Sequence, residues 1–304
     1  MAGLTCLLAA SRCQAGPHSF EYVAEHLPES AMNNRLATLP LWSGAEAPVG
    51  GWQTALQGAA ARSQSGSLTL GGPMLAVTAG RPLGGGWTAT LIGFADALRF
   101  SGGPEQRPLE TLFARPPLAL PAEALFTDLQ GTYRSMGAGL AFTLKRDGGW
   151  LGEHQWVAGA LAQRVQLRDY RATYLVLDGA SSGASGSVDY SGDYDFVVPF
   201  AGFALVRRFG PWTVVPHVLL GQALPRRGLQ GRITGPGFDL QGDTATAGNG
   251  KHVGDPSLTA GVDVDYVPWG LTLSVGTLFL QAWLEPAEHK GTDRNWVISV
   301  SKRF

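Results

Sequence analysis

From about residue 66 onward the chain alternates large apolar residues with small or polar ones at a period of two, and this limits its fold more than any other feature. In residues 258–266, Leu258, Ala260, Val262, Val264 and Tyr266 share one face. The opposite face, counting the preceding Ser257, carries Thr259, Gly261, Asp263 and Asp265. Residues 133–145 repeat the arrangement, with Met136, Ala138, Leu140, Phe142 and Leu144 set against Tyr133, Ser135, Gly137, Gly139, Ala141, Thr143 and Lys145. In a soluble sandwich the outer face carries charge and large polar groups. Here the second face is small and rich in glycine, which suits a crowded lumen.

Composition removes the competing classes. The 304 residues include 42 glycines and only 15% charged residues, with a net charge of -1. A hydrophobic fraction of 44% is too high for a disordered chain. Without a run of Lys or Arg there is no electrostatic footprint for nucleic acid. The longest apolar stretches, such as 271–284, are interrupted by Thr, Ser, Gly and Gln before the roughly 18 to 20 residues that a spanning helix needs. Glycine has no three-residue period, which excludes collagen. What remains is an all-β domain large enough to close into a barrel.

Both cysteines, Cys6 and Cys13, fall in the first fifteen residues. Leu4, Leu7, Leu8, Ala9 and Ala10 followed by Cys13-Gln14-Ala15 read as a signal peptide over 1–15, although no base precedes Arg12. Its removal leaves a cysteine-free chain with no disulfide framework and no thiolate zinc site, and the sequence points to no metal and no cofactor. Residues 16–62 have no clean period. They are expected to be a periplasmic or lumen-entering segment that also holds the first strand, somewhere within 34–62.

Residues 63–304 form the expected barrel. Further strands are expected over 66–80, 87–100, 131–145, 152–178, 187–207, 212–232, 257–267, 271–284 and 295–304. Short Gly/Pro reversals at 145–149, 207–211 and 267–270 alternate with long connections at 101–130, 179–187, 235–256 and 285–294. The reading is a transmembrane antiparallel up-and-down β-barrel of ten strands, with twelve as the alternative if 16–62 hides two more. Trp87, Trp150, Trp212 and Trp269 mark the short-turn rim, while Trp283 and Trp296 flank the last long loop. These are the two girdle positions, where amphipathic rings favour the membrane interface.

The last residues, Trp296-Val297-Ile298-Ser299-Val300-Ser301-Lys302-Arg303-Phe304, alternate in phase and stop at phenylalanine. This resembles the terminal β-signal of bacterial outer-membrane barrel proteins, with Lys302 as a departure from its apolar pattern. The resemblance implies a bacterial outer-membrane location, contact with outer-membrane lipid, and recognition of the strand ending in Phe304 by the assembly machinery. Two enzymes of that membrane are not matched. The Asp-His couple of the omptin proteases has no Asp-x-His counterpart, and Asp263 and Asp265 lie near a short turn. The His-x-Ser arrangement of outer-membrane phospholipases is not reproduced by His217-Val218-Leu219.

No soluble-enzyme motif is complete either. Gly183-Ala184-Ser185-Gly186 has the wrong spacing for a nucleophile elbow. Gly248-Asn249-Gly250-Lys251 lacks the upstream glycine and the following hydroxyl of a phosphate loop. Candidate lumen residues are His217, Asp263, Asp265 and Arg207, with Arg207, Arg208 or Arg232 as partners for the aspartates. Glu285, Glu288, His289 and Asp293 form a loop cluster able to hold a cation or orient a base, although a solvated polar loop is the preferred reading, since charges cluster on exposed loops anyway. The expected function is non-enzymatic passage or binding of a small solute. A loop-presenting adhesin or receptor and an outer-membrane hydrolase are the alternatives, followed by a soluble periplasmic β protein.

Overall fold

Strands with one large apolar face and one small face, both poor in charge, have no side to offer water, and the chain resolves this by closing its sheet. A computed structural model describes residues 35–36, 38–42, 51–65, 68–108, 123–148, 150–177, 183, 185–222, 224–225, 230–235, 238–243, 257–278 and 294–304. Ten long strands run in chain order: β1 Gln53–Ser65, β2 Leu68–Gly84, β3 Trp87–Gly102, β4 Glu123–Arg146, β5 His154–Val176, β6 Ser185–Leu205, β7 Trp212–Gly221, β8 Ser257–Tyr266, β9 Leu271–Leu278 and β10 Arg294–Arg303. Each pairs antiparallel with the next. β10 returns to β1, from Ala55↔Arg303 to Gln64↔Arg294. The result is a closed ten-stranded antiparallel barrel without a free edge, as the sequence reading expects.

The connections fall on two rims. Residues 85–86, 147–153, 206–211 and 267–270 join strands on one rim, where the start of β1 and the end of β10 also lie. The opposite rim carries the longer connections, with one exception: β1 and β2 are joined there through residues 66–67 alone. Parts of the expected long loops, and the far half of the strand expected over 212–232, form short paired stretches of their own. Glu105–Pro108 pairs with β4, and Leu224–Pro225 and Gln230–Gly235 continue the line of β7 along β6. Phe238–Asp243 folds back on Gln230–Gly235. Pairing satisfies backbone groups beyond the barrel wall, so these hairpins extend past the rim.

The faces divide by size as the alternation requires. Leu91, Leu140, Phe142, Val218, Leu273, Val275, Ile298 and Val300 point outward and are exposed. On β4 the outward series Leu144, Phe142, Leu140, Ala138, Met136 is bracketed by exposed Arg146 and Arg134. The nine residues from Met136 to Leu144, at about 3.4 Å each and tilted by 35 to 45°, give an apolar band about 22–25 Å tall, the height of the band on membrane-spanning barrels. Trp87, Trp150, Trp212 and Trp269 are exposed on the short-turn rim, and Trp296 is exposed at the opposite end of β10. Tyr266 packs between Trp212 and Trp269, at centroid distances of 4.7 and 5.2 Å. Trp283 lies outside the described residues.

Candidate functional site

Inward positions differ between the two halves of the barrel. On the long-loop half they are apolar, and Leu98, Phe100, Tyr133, Leu161 and Val198 belong to one buried cluster. Toward the short-turn rim they are small and polar, including Gln57, Thr78, Thr90, Thr143, Gln155 and Ser274. A chain segment lies inside the barrel where these halves meet. Arg35, Leu36 and Thr38 belong to a short helical turn, followed by Leu39, Pro40, Leu41 and Trp42, and all but Pro40 are buried. These residues lie within 16–62, the range expected to hold a periplasmic or lumen-entering segment.

The inner segment is bound by charge, hydrogen bonds and packing together. Arg35 forms an ion pair with Asp96, and both side chains are 0% exposed. Arg35 also donates to the Leu75 carbonyl at 3.1 Å and lies 4.9 Å over the Phe94 ring. The second Asp96 oxygen accepts from Ser135 Oγ at 2.7 Å. Gln57 Nε2 donates to the Thr38 carbonyl and to Ser299 Oγ, the latter at 3.0 Å. Trp42 stacks on His217 with ring centroids 5.6 Å apart. Leu36 presses against the bare backbone of Gly221, where an added Cβ would collide with it. Leu36, Leu39, Leu41 and Trp42 join the apolar cluster of the long-loop half, each buried side chain contributing about 1.5–3 kcal/mol.

Below the segment, toward the short-turn rim, is a cavity of about 550 Å³. Pro40, Leu41 and Trp42 form its floor, Thr78, Thr90, Thr143, Gln155, Thr272 and Ser274 contribute to its wall, and Trp87 stands at its mouth. Asp263, Asp147, Lys145, Arg146 and Arg303 also line it, so its charges nearly balance. Hydroxyls and amides that both donate and accept, set beside the Trp42 indole, give this vestibule the chemistry of a neutral polar binding site.

No protein-family model matches the chain, and no curated protein sequence matches it. Among solved structures it is similar to the translocator domain of the autotransporter NalP from Neisseria meningitidis. That match has 11% identity and a TM-score of 0.40, and covers 95% of this chain and 100% of that one. It is also similar to the outer-membrane protease OmpT from Escherichia coli, at 7% identity and a TM-score of 0.41, over 83% of this chain and 96% of that one. A third is the beta domain of the Bordetella autotransporter BrkA, at 10% identity and a TM-score of 0.42, over 83% and 98%. In architecture the chain is a closed ten-stranded antiparallel β-barrel.

The structure gathers three of the four sequence-derived lumen residues. His217, Asp263 and Asp265 are buried, with His217 Nδ1 3.8 Å from Asp263 Oδ1 and 3.2 Å from the Val215 carbonyl. Asp265 accepts from Thr272 Oγ1 at 2.5 Å and pairs with Arg303 Nη2 at 3.3 Å. Arg207 stands elsewhere. It is exposed on the short-turn rim, where its guanidinium donates at 3.0 Å to the carbonyls of Val206 and Leu151 and ties two turns together. Val206 takes the inward position, so the alternation turns its neighbour outward.

Arg208 is likewise taken by Glu153, and the partner of Asp265 comes from the last strand. The side chain of Arg232 and residues Glu285, Glu288, His289 and Asp293 lie outside the described residues. Phe304 is exposed, its backbone N–H bonded to the Thr54 carbonyl at 2.9 Å beside the closing seam. Sequence reasoning missed Arg35, Trp42, Gln57 and Asp96. Only Asp96 left a signal: it is the lone carboxylate on an inward face otherwise made of Ile92, Phe94, Leu98 and Phe100, and such a charge demands a partner.

Proposed function

We propose that this chain is a non-enzymatic barrel of the bacterial outer membrane that receives a small neutral polyhydroxylated solute in its vestibule, with the inner segment as the stop that governs passage. The observation that carries the reading is the polar cavity of about 550 Å³ inside an apolar-walled barrel, floored by Pro40, Leu41 and Trp42. That size lies within the usual range of small-molecule sites. Balanced charge on the lining favours neutral solutes over ions, and the indole of Trp42 offers a flat apolar surface to a sugar-like ring. The membrane placement is supported by the outward apolar band and its flanking aromatic rim.

Cysteine protection tests the reading. Ser274→Cys lies on the vestibule wall and Leu98→Cys lies beyond the inner segment. Each is made in the full chain with Cys6 and Cys13 replaced by Ser and is reconstituted in vesicles. A small methanethiosulfonate reagent should modify the first and spare the second, and glucose should slow the first reaction. Equal modification of both sites, or no protection by glucose, would contradict it.

A further inference from the structure

The outer wall carries a feature that solute passage does not use. Arg62 on β1, Arg99 on β3 and Arg134 on β4 point outward and are exposed, and each is the first charged outward residue on the long-loop side of its strand's apolar run. Register brings them together. Arg62 faces Gly71 on β2, Gly71 faces Arg99, and Arg99 faces Thr132, two residues from Arg134. Strand spacing sets the Cα atoms of Arg62 and Arg99 about 10 Å apart and those of Arg99 and Arg134 about 8 Å apart. Gly71 offers no side chain between the first two, so a gap stays open.

Their neighbours set these arginines apart. On β5, Arg164 and Arg171 are matched by Asp195 and Asp189 at 2.8 and 2.7 Å. Among the described residues, no carboxylate forms an ion pair with Arg62, Arg99 or Arg134. Below them the outer wall is apolar: Gly58 and Ala60 on β1 and Ala95 and Ala97 on β3 flank Pro73 and Leu75 on β2, and all six are exposed. Guanidinium groups at the edge of the hydrocarbon band, above an apolar wall whose small side chains flank Leu75, suit a ligand with a phosphorylated head and acyl chains.

We propose that Arg62, Arg99 and Arg134 form an outward-facing binding site for the phosphates of an outer-leaflet glycolipid, whose acyl chains lie along the Gly58, Ala60, Ala95 and Ala97 wall. Guanidinium groups bind phosphate oxygens in a two-pronged, charge-assisted geometry. The site rests on the membrane reading above, with the long-loop rim facing outward.

Diphosphorylated lipid A and its dephosphorylated counterpart, offered to the folded full chain in detergent and read by native mass spectrometry, test this. The phosphorylated lipid should be retained at least about tenfold more strongly. Joint replacement Arg62→Gln, Arg99→Gln and Arg134→Gln should abolish that preference. The same three positions changed to Lys should keep it, as should Arg81→Gln with Arg146→Gln near the other rim. Heat-modifiable gel mobility shows that each variant is folded. Equal retention of the two lipids, an unchanged preference in the glutamine variant, or full displacement by millimolar inorganic phosphate would overturn the proposal. Flotation with phosphatidylcholine vesicles tests the membrane reading separately, since a barrel that floats yet ignores the phosphates refutes the lipid site alone.

Discussion

Glu153, in the turn between β4 and β5, collects three donors: Arg208 through Nε and Nη2, both at 3.0 Å, and Lys145 Nζ at 2.8 Å. Burial disfavours its charge, but the hydrogen bonds from Arg208 and Lys145 outweigh it and hold the carboxyl below the ordinary glutamate value. A depressed native value means stability that is complete above about pH 4.3, the ordinary value, and is lost as pH falls through the native one. Glu153→Gln should therefore cost about 0.5–1 kcal/mol at pH 7 and progressively less as pH falls from about 4.3 toward 3, read from urea midpoints of vesicle-inserted protein. A constant penalty across that range would refute the assignment. At this scale the sequence showed His217, Asp263 and Asp265 through strand alternation alone. It did not show that Asp265 meets Arg303, because that contact exists only once β8, β9 and β10 are side by side.

Among the elements, the strands were legible and the inner segment was not, for one physical reason. A strand announces itself by its period, and the ranges expected at 87–100, 212–232 and 257–267 lie close to the observed ladders. Residues 35–42 have no period, since their burial is set by the barrel around them: Asp96 for the charge, Gly221 for the room, and His217 for the ring of Trp42. Phe238–Asp243 reads as loop for a similar reason, its Gly and Asp content outweighing any alternation, whereas residues 230–232 fall inside the strand expected over 212–232. Gly221→Val would push Leu36 away at a cost of about 1–3 kcal/mol. Leu39→Cys, made with Cys6→Ser and Cys13→Ser, should resist maleimide in the native background and react once Gly221→Val is added. Continued resistance would show that Leu36 does not depend on that gap.

At the scale of the whole molecule, ten strands enclose a narrow interior, and two kinds of filling share it. Apolar side chains and the inner segment occupy the long-loop half, while the short-turn half keeps a polar vestibule. The central claim is that the barrel spans a membrane and is stopped by residues 35–42, latched by Arg35 and Asp96. Asp96→Asn leaves Arg35 buried without its counter-charge, which disfavours the seated segment by about 3–5 kcal/mol. Single-channel recording in a planar bilayer tests this most directly. The native protein should insert and stay closed, while Asp96→Asn should show discrete current steps. Steps of equal size and frequency in both proteins, or a variant as silent as the native barrel, would contradict it.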